Sequence, residues 1–329
     1  MKMAEDVPAR PTVTTQEQAI EEEQKEREME RSFRAAPKLN KSPLHGLWAL
    51  TNRDLVKWYK NPIQLIISLV QPVVWLGLFG LAFNIGKIFT SLPGVTPAEA
   101  SVLNLGTFGT SSYFSYLAAG MLAFIILFTA AFSGMSVVWD RRFGFMNKAL
   151  STPVGRGAIV IAKISQSTVR SLIQAAIVLV IAVVLGSAGG VQMDTSHFSV
   201  LTIAGSFVML FLMSFGLSSL FVMLALRSSD WQTQMAIINL LNLPLLFASN
   251  AMLPVAMMPS WLQSVVKYNP VSYAVDGVRQ MLLGSGSASA AAAGYHVLAP
   301  LWVDFSVLAG FAVVLSALGI VLSWKLLSS

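Results

Sequence analysis

The chain has no cysteine among its 329 residues, which excludes disulfides and thiolate metal sites and leaves the redox compartment unmarked. It is also poor in charge. Asp, Glu, Lys and Arg make up 12% of it, against about 25% in an ordinary soluble domain, while hydrophobic residues make up 55%. That balance belongs to a membrane protein. Catalytic apparatus is missing too: there is no G-x-x-x-x-G-K-[ST] to cradle a nucleoside triphosphate, no H-E-x-x-H, no G-x-S-x-G and no visible pair of inward carboxylates. The histidines, His45, His197 and His296, are far apart. Neither catalytic residues nor metal ligands are expected. The net charge of +6 does not indicate nucleic acid, because the bases sit at the ends of hydrophobic runs, where the positive-inside rule accounts for them.

What is present is a series of long apolar runs. They predict an all-α, polytopic membrane protein with six transmembrane helices, an N-terminal amphipathic interfacial helix and a re-entrant helical hairpin before the last span. Residues 1–42 form a polar cytosolic arm, a frayed helix or disordered. Over 43–62, Leu44, Leu47, Trp48, Leu55, Trp58 and Tyr59 gather on one side of a helical wheel and Arg53, Lys57 and Lys60 on the other. Such a helix lies flat at a membrane surface with its bases toward lipid phosphates, and Asn61-Pro62 turns the chain into the bilayer. The transmembrane domain is 63–325, with spans at 63–83, 113–138, 158–185, 198–226, 231–253 and 302–324. Residues 84–112 and 186–197 read as loops on the far side, and Arg170, about one turn inside the boundary, reads by default as a snorkelling residue, the alternative being a substrate contact.

The fifth span carries Gln232, Asn239, Asn242, Ser249 and Asn250 within about 100° of one wheel. Such a stripe faces protein or water, as a helix contact or as the wall of a pathway at a dimer seam. Over 254–284, Pro254, Pro259 and Pro270 cut the chain into half-span pieces, predicting two short helices, 259–268 and 271–283, that dip into the outer leaflet. Asn269, Asp276 and Arg279 lie at that depth, with Asp276 and Arg279 spaced to pair on one helix face. Asp304 is expected to take Arg279 or Lys267, and 285–293 reads as a small-residue loop.

The segment 139–157 is different in kind. Asp140, Arg141, Arg142, Lys148 and Arg156 keep it out of lipid, since an Arg or Lys at the bilayer centre costs about 2.5 to 3.5 kcal/mol. Phe143, Met146 and Leu150 nevertheless recur at helical spacing. An apolar ridge on a solvated loop predicts a docking surface for a soluble partner. Six spans put both termini on one side of the cell membrane, and the distribution of bases makes that side cytoplasmic.

Two sets of residues resemble a known family. Asp140-Arg141-Arg142-x-Gly144 with Leu150, Pro153 and Arg156, and then Pro254, Pro259, Trp261 and Asn269-Pro270-x-x-Tyr273-x-x-Asp276-x-x-Arg279, resemble the signature stretches of ABC-2 type permeases of the DrrB-like and NodJ-like branch. Asp140 stands where many relatives have Glu. The resemblance implies a homodimer carried by two separately encoded ATP-binding subunits. ATP and Mg would sit on those subunits, with no cofactor on this chain, and the loop helix would sit in a cleft of the ATPase. It also implies export of an amphipathic drug, a lipid or a lipid-linked glycan. The half-helices around Asn269, Pro270, Tyr273, Asp276 and Arg279 are then read as an outer gate. The competing reading, an ion-coupled secondary transporter, calls for ionisable groups near the midplane and repeated halves, and neither is visible in the sequence.

Overall fold

The computed structural model describes residues 43–83, 85–152, 154–188, 193–228 and 230–326. The expected arm, 1–42, lies outside them, as does Pro153. All regular structure among the described residues is helical. Helix α1 (Pro43–Tyr59) leads through Asn61, whose side chain accepts the Gln64 N–H at 3.4 Å, into α2 (Pro62–Trp75). Pro62 suits a first turn because its missing N–H would have no partner there. Leu76–Phe83 continues α2 as a π-helix.

The expected loop at 84–112 instead contains α3 (Lys87–Thr90) and α4 (Pro97–Phe108). The reason is local. Thr96 and Glu99 form a reciprocal capping box, with Thr96 N–H donating to Glu99 Oε2 at 2.8 Å, and Pro97 opens the first turn. The helices that follow are α5 (Tyr113–Arg142), α6 (Phe145–Leu150), α7 (Arg156–Ala188) and α8 (Val200–Arg227). Next come α9 (Trp231–Phe247), a 3-10 turn at Val255–Met257, α10 (Ser260–Val266) and α11 (Pro270–Leu282). Last are α12 (Ala288–Ala292), which Ser287 caps inside the stretch expected as a loop, and α13 (Leu301–Leu326).

Among the described residues five segments are long and apolar enough to cross a membrane: Pro62–Phe89, Pro97–Arg142, Arg156–Ser187, Val200–Arg227 and Leu301–Lys325. The expected fifth span, 231–253, is shorter than its apolar run. Helix α9 has 17 residues, about 25 Å of rise against a core of about 30 Å. It stops at Phe247 because the carbonyls of Leu245 and Ala248 turn to the Asn269 side chain, each at 2.7 Å.

Helix α5 is the centre of the bundle, packed by α7, α8, α9 and α11, and every residue from Tyr113 to Leu127 is buried. A helix apolar on all sides can be buried on all sides. The apolar windows of α2 and α13 are only 17% buried, so their hydrophobic faces point outward, as lipid-facing helices require. Between apolar helices lipid is as good a neighbour as protein, so close approach and interhelical hydrogen bonds carry the packing. Ser171 and Ser214 pair at 2.7 Å, and Ser218 donates to Ser167 at 2.9 Å, between α7 and α8. At Gly120 of α5 a Cβ would collide with the Ala251 carbonyl.

Candidate functional site

The segment 139–157 is braced to the bundle at several points. Trp139–Arg142 is the last turn of α5, and Gly144 turns the chain at φ 71°, a left-handed conformation that costs an L side chain about 1 to 2 kcal/mol. Four side chains from three helices then fix the end of α5. Asp140 Oδ2 accepts from Lys163 Nζ of α7 at 2.5 Å and from Arg53 Nη2 of α1 at 3.1 Å. Lys163 also donates to Asp54 at 2.6 Å, and Arg53 Nε closes the ring onto Asp54 at 2.8 Å. The Lys163, Asp54 and Asp140 side chains are 7%, 12% and 14% exposed. Two cations and two anions in contact sum to zero, which is the condition for holding charge at so little exposure.

The same cluster carries α6. The Arg53 guanidinium stacks 3.5 Å from the Phe145 ring centroid, while Met146 and Ala149 are buried among Val137, Val138, Ile159 and Val222. Arg53, expected to face lipid phosphates, is turned inward by Asp54 and Asp140. Arg141, expected to meet a partner, instead donates to the carbonyls of Ser228 and Leu226 at 3.0 and 3.1 Å. Those carbonyls at the end of α8 have no intrahelical partner, so a guanidinium satisfies them. The Ser228 hydroxyl in turn donates to Gln234 at 2.8 Å.

The predicted ridge therefore divides. Phe143 is 80% exposed and Met146 is 4% exposed, because Phe143 sits on the turn, where helical spacing no longer relates the two. Arg142 and Lys148 are exposed and Arg156 opens α7 half-buried. The Leu150 side chain, like Pro153, lies outside the described residues. What remains of the ridge on the surface is the Phe143 ring, with Arg142 and Lys148 exposed near it in sequence and Trp139 about half exposed.

The fifth-span stripe divides as well. Gln232 and Asn239 are exposed on α9 and Asn242 is buried. Ser249 and Asn250 belong to the buried turn after the helix, so one wheel does not describe all five. Asn250 joins the opposite end of the bundle, where its carbonyl accepts from Tyr116 Oη at 2.8 Å and from Arg279 Nη1 at 2.7 Å.

Arg279, fully buried, does not pair with Asp276. Its guanidinium donates to the carbonyls of Tyr116, Asn250 and Ala251 at 2.7–3.2 Å and stacks 3.3 Å from the Tyr116 ring centroid. Asp276 accepts from the N–H groups of Leu298 and Ala299 at 3.0 and 3.3 Å. The Gln280 amide, rather than Arg279 or Lys267, reaches Asp304, donating to it and to Asp276 at 2.9 Å each. Two buried carboxylates are thus brought together where none was expected to pair. Asn269 ties the end of α9 to the start of α11, accepting the Val271 N–H at 3.0 Å, and Pro270 fills the first helical position. Tyr273 donates to the Lys267 carbonyl at 2.6 Å. The residues of the second signature stretch mostly staple backbone.

Residues 45–283 match the family model for the ABC-2 type transporter. The chain belongs to that family. It is 30% identical to the ycf38 transport permease of Porphyra purpurea over 232 residues, 70% of this chain and 72% of the relative. With the ycf38 transport permease of Cyanophora paradoxa the identity is 31% over 237 residues, 72% and 73% of the two chains. It is 23% identical to the daunorubicin resistance ABC transporter permease protein DrrB1 of Streptomyces coeruleorubidus over 242 residues, 74% and 75%. An ABC-2 permease is a membrane transport subunit, and its relatives are transport permeases rather than enzymes.

Sequence reasoning missed Arg53, Asp54 and Lys163 as partners of Asp140, and Gln280 as the bridge between two carboxylates. One signal was available. Lys163 stands inside the apolar run Ala158–Ile164, where a lone cation needs a counter-charge.

Proposed function

We propose that this ABC-2 permease is the membrane-spanning half of an ATP-driven exporter, and that it works as a homodimer carried by two copies of a separate ATP-binding subunit that holds the ATP and Mg. The reading counts six crossings, with α9 and its following turn as the fifth, both termini cytoplasmic, α1 lying at the membrane surface, and α10 and α11 re-entering from the outer side. The observation that carries it is Phe143. A large aromatic ring, 80% exposed with cations near it in sequence, projects from a turn that the Asp140, Lys163, Arg53 and Asp54 cluster fixes to α1, α5 and α7 at once. A force applied to such a ring moves three helices together, which a coupling surface requires. Gln232 and Asn239, polar and exposed on α9, suit the dimer seam, and the stapled block from Asn269 to Arg279 suits an outer gate that moves as one piece. The cargo is an amphipathic drug, lipid or lipid-linked glycan. The test is co-purification of the full-length permease with its ATP-binding subunit. Phe143→Asp is expected to abolish capture of that subunit while leaving the permease folded, and undiminished capture together with cargo-stimulated ATP turnover would overturn the reading.

One observation favours a second reading. Asp276 and Asp304, buried and bridged by Gln280, are the kind of carboxylates an ion-coupled carrier places within its bundle. Transport by the purified permease alone, driven by a proton gradient in liposomes, would select that reading.

A further inference from the structure

A cavity of about 430 Å³ lies between α2, α5 and α7, within the size range of small-molecule sites. Each helix gives it a polar edge. Gln64, Ser68 and Gln71 come from α2, Thr129, Ser133 and Ser136 from α5, and Gln166 and Arg170 from α7, all at the three- and four-residue steps that keep one helix face together. One boundary is a hydrogen-bonded chain in which Thr129 donates to Gln174 at 2.7 Å and Gln174 donates to Ser68. Ile67, Ile125, Phe128 and Phe132 supply an apolar wall.

Among the described residues Arg170 has no counter-charge. Its Nε is buried without a hydrogen-bond partner, no ion pair reaches it among the described residues, and its guanidinium lies 5.7 Å from the Trp58 ring centroid. Arg170 itself is half-buried, and the two fully buried cations are accounted for, Lys163 by two carboxylates and Arg279 by three carbonyls. Arg170 lies seven residues beyond Lys163, about 10 Å along α7, so the ion cluster does not serve it. Snorkelling would carry the group to water, yet Arg170 lines the cavity. A partly desolvated guanidinium with an unsatisfied buried Nε is a ready partner for an anionic ligand.

We propose that this cavity binds an amphiphile with a single acidic head group, phosphate or carboxylate, which pairs with Arg170 while the tail lies along Ile67, Phe128 and Phe132. The proposal rests on reading the permease as a carrier of amphiphiles, and it gives the cargo a sign. A cationic amphiphile would meet an uncompensated positive charge and be excluded.

The experiment uses the full-length permease in phosphatidylcholine nanodiscs, titrated with dibromostearic acid, dibrominated phosphatidic acid or dibromostearylamine. Bromine quenches nearby indoles, and Trp139 lines the cavity, so binding is read as tryptophan quenching that Trp139→Phe diminishes. Saturable quenching by the acids and none by the amine is expected. Arg170→Gln should weaken acid binding by about tenfold or more, the scale of one charged hydrogen bond. Tighter binding of phosphatidic acid identifies a bilayer lipid as the source, and tighter binding of the free acid identifies a fatty acid. Should Arg170→Gln fail to fold, Gln71→Glu, at an exposed position, introduces a carboxylate that offsets the Arg170 charge and should likewise weaken acid binding. Equal quenching by acid and amine, or acid binding unchanged in the variants that fold, overturns the proposal. Its failure is separable from that of the coupling reading: these variants are scored by ligand binding without the ATPase, whereas Phe143→Asp is scored by capture of the ATPase.

Discussion

At the end of the bundle that carries residues 139–157, Asp140 and Asp54 contact Lys163 and Arg53, four charges that sum to zero. At the other end Arg279, Asp276 and Asp304 are buried more deeply, yet no ion pair joins them among the described residues. There the cation is held by backbone carbonyls and the carboxylates by backbone N–H groups and one amide. The contrast follows from depth and mobility. Long side chains in partial contact with water can meet as ions, and such a pair can be remade in a shifted geometry. A fully enclosed arginine anchored on three carbonyls holds three backbone segments in one arrangement. The first end suits a joint that transmits motion, and the second suits a rigid block.

The comparison can be broken by exchanging charges. The largest effect is expected at Arg279. Arg279→Gln should lower stability by about 4 kcal/mol, since several charge-assisted hydrogen bonds to buried carbonyls are lost together. The swap Asp276→Arg with Arg279→Asp should rescue nothing, because neither position answers the other. Thermal unfolding in detergent measures both, and recovery in the swap would show that the two residues do act as a pair. Next, Asp140→Ala should cost about 3 kcal/mol by leaving two largely buried cations, Lys163 and Arg53, to share the single carboxylate of Asp54. Here Asp140→Lys with Lys163→Asp should recover more than half of the loss. If the swap is as damaging as the single change, the cluster is not held by charge.

A third pair of variants sharpens the division of the predicted ridge. Met146→Asp puts a carboxylate into an apolar cluster and should destabilise by about 3 kcal/mol, whereas Phe143→Asp should stay within about 0.5 kcal/mol of the parent. Equal melting temperatures for the two would mean that Met146 is on the surface.

The smallest effect concerns Asp194, in the segment between α7 and α8. Burial raises its pKa, but hydrogen bonds from Ser196 and Ser111 outweigh that and leave it below the ordinary carboxylate value. A depressed folded pKa contributes stability that is present above the unfolded value and lost as pH falls through the folded one. Because the side chain is partly open to solvent, the contribution should be under about 1 kcal/mol. Asp194→Asn should therefore lower the melting temperature slightly at neutral pH and flatten its fall on acidification, so that the two profiles converge at low pH.

Helix existence was legible wherever apolar runs were long, because burial in lipid and burial in protein select the same composition. The helices at 97–108 and 288–292 were read as loops because Gly, Pro, Ser and Thr recur across 84–112 and small residues fill 285–293, although Thr96-Pro97 with Glu99 was a readable capping signal. The exposure of the apolar ridge was half legible. Periodicity placed Phe143 and Met146 on one face only on the assumption of a single helix, and the turn at Gly144 interrupts it. The fifth-span stripe failed for the same reason at Phe247, where Asn269 takes the carbonyls that another turn of helix would have used.

Composition and the order of apolar runs by themselves determined that this is a helical membrane chain, and two short signature stretches pointed to its family. Those properties depend on residue type and local spacing, which sequence states directly. Only the tertiary structure decided which charges meet. Asp140 lies 87 residues from Arg53, and Arg279 lies 163 from the Tyr116 carbonyl. Partners that distant are chosen by how helices pack, and backbone carbonyls are acceptors that no side-chain pattern announces.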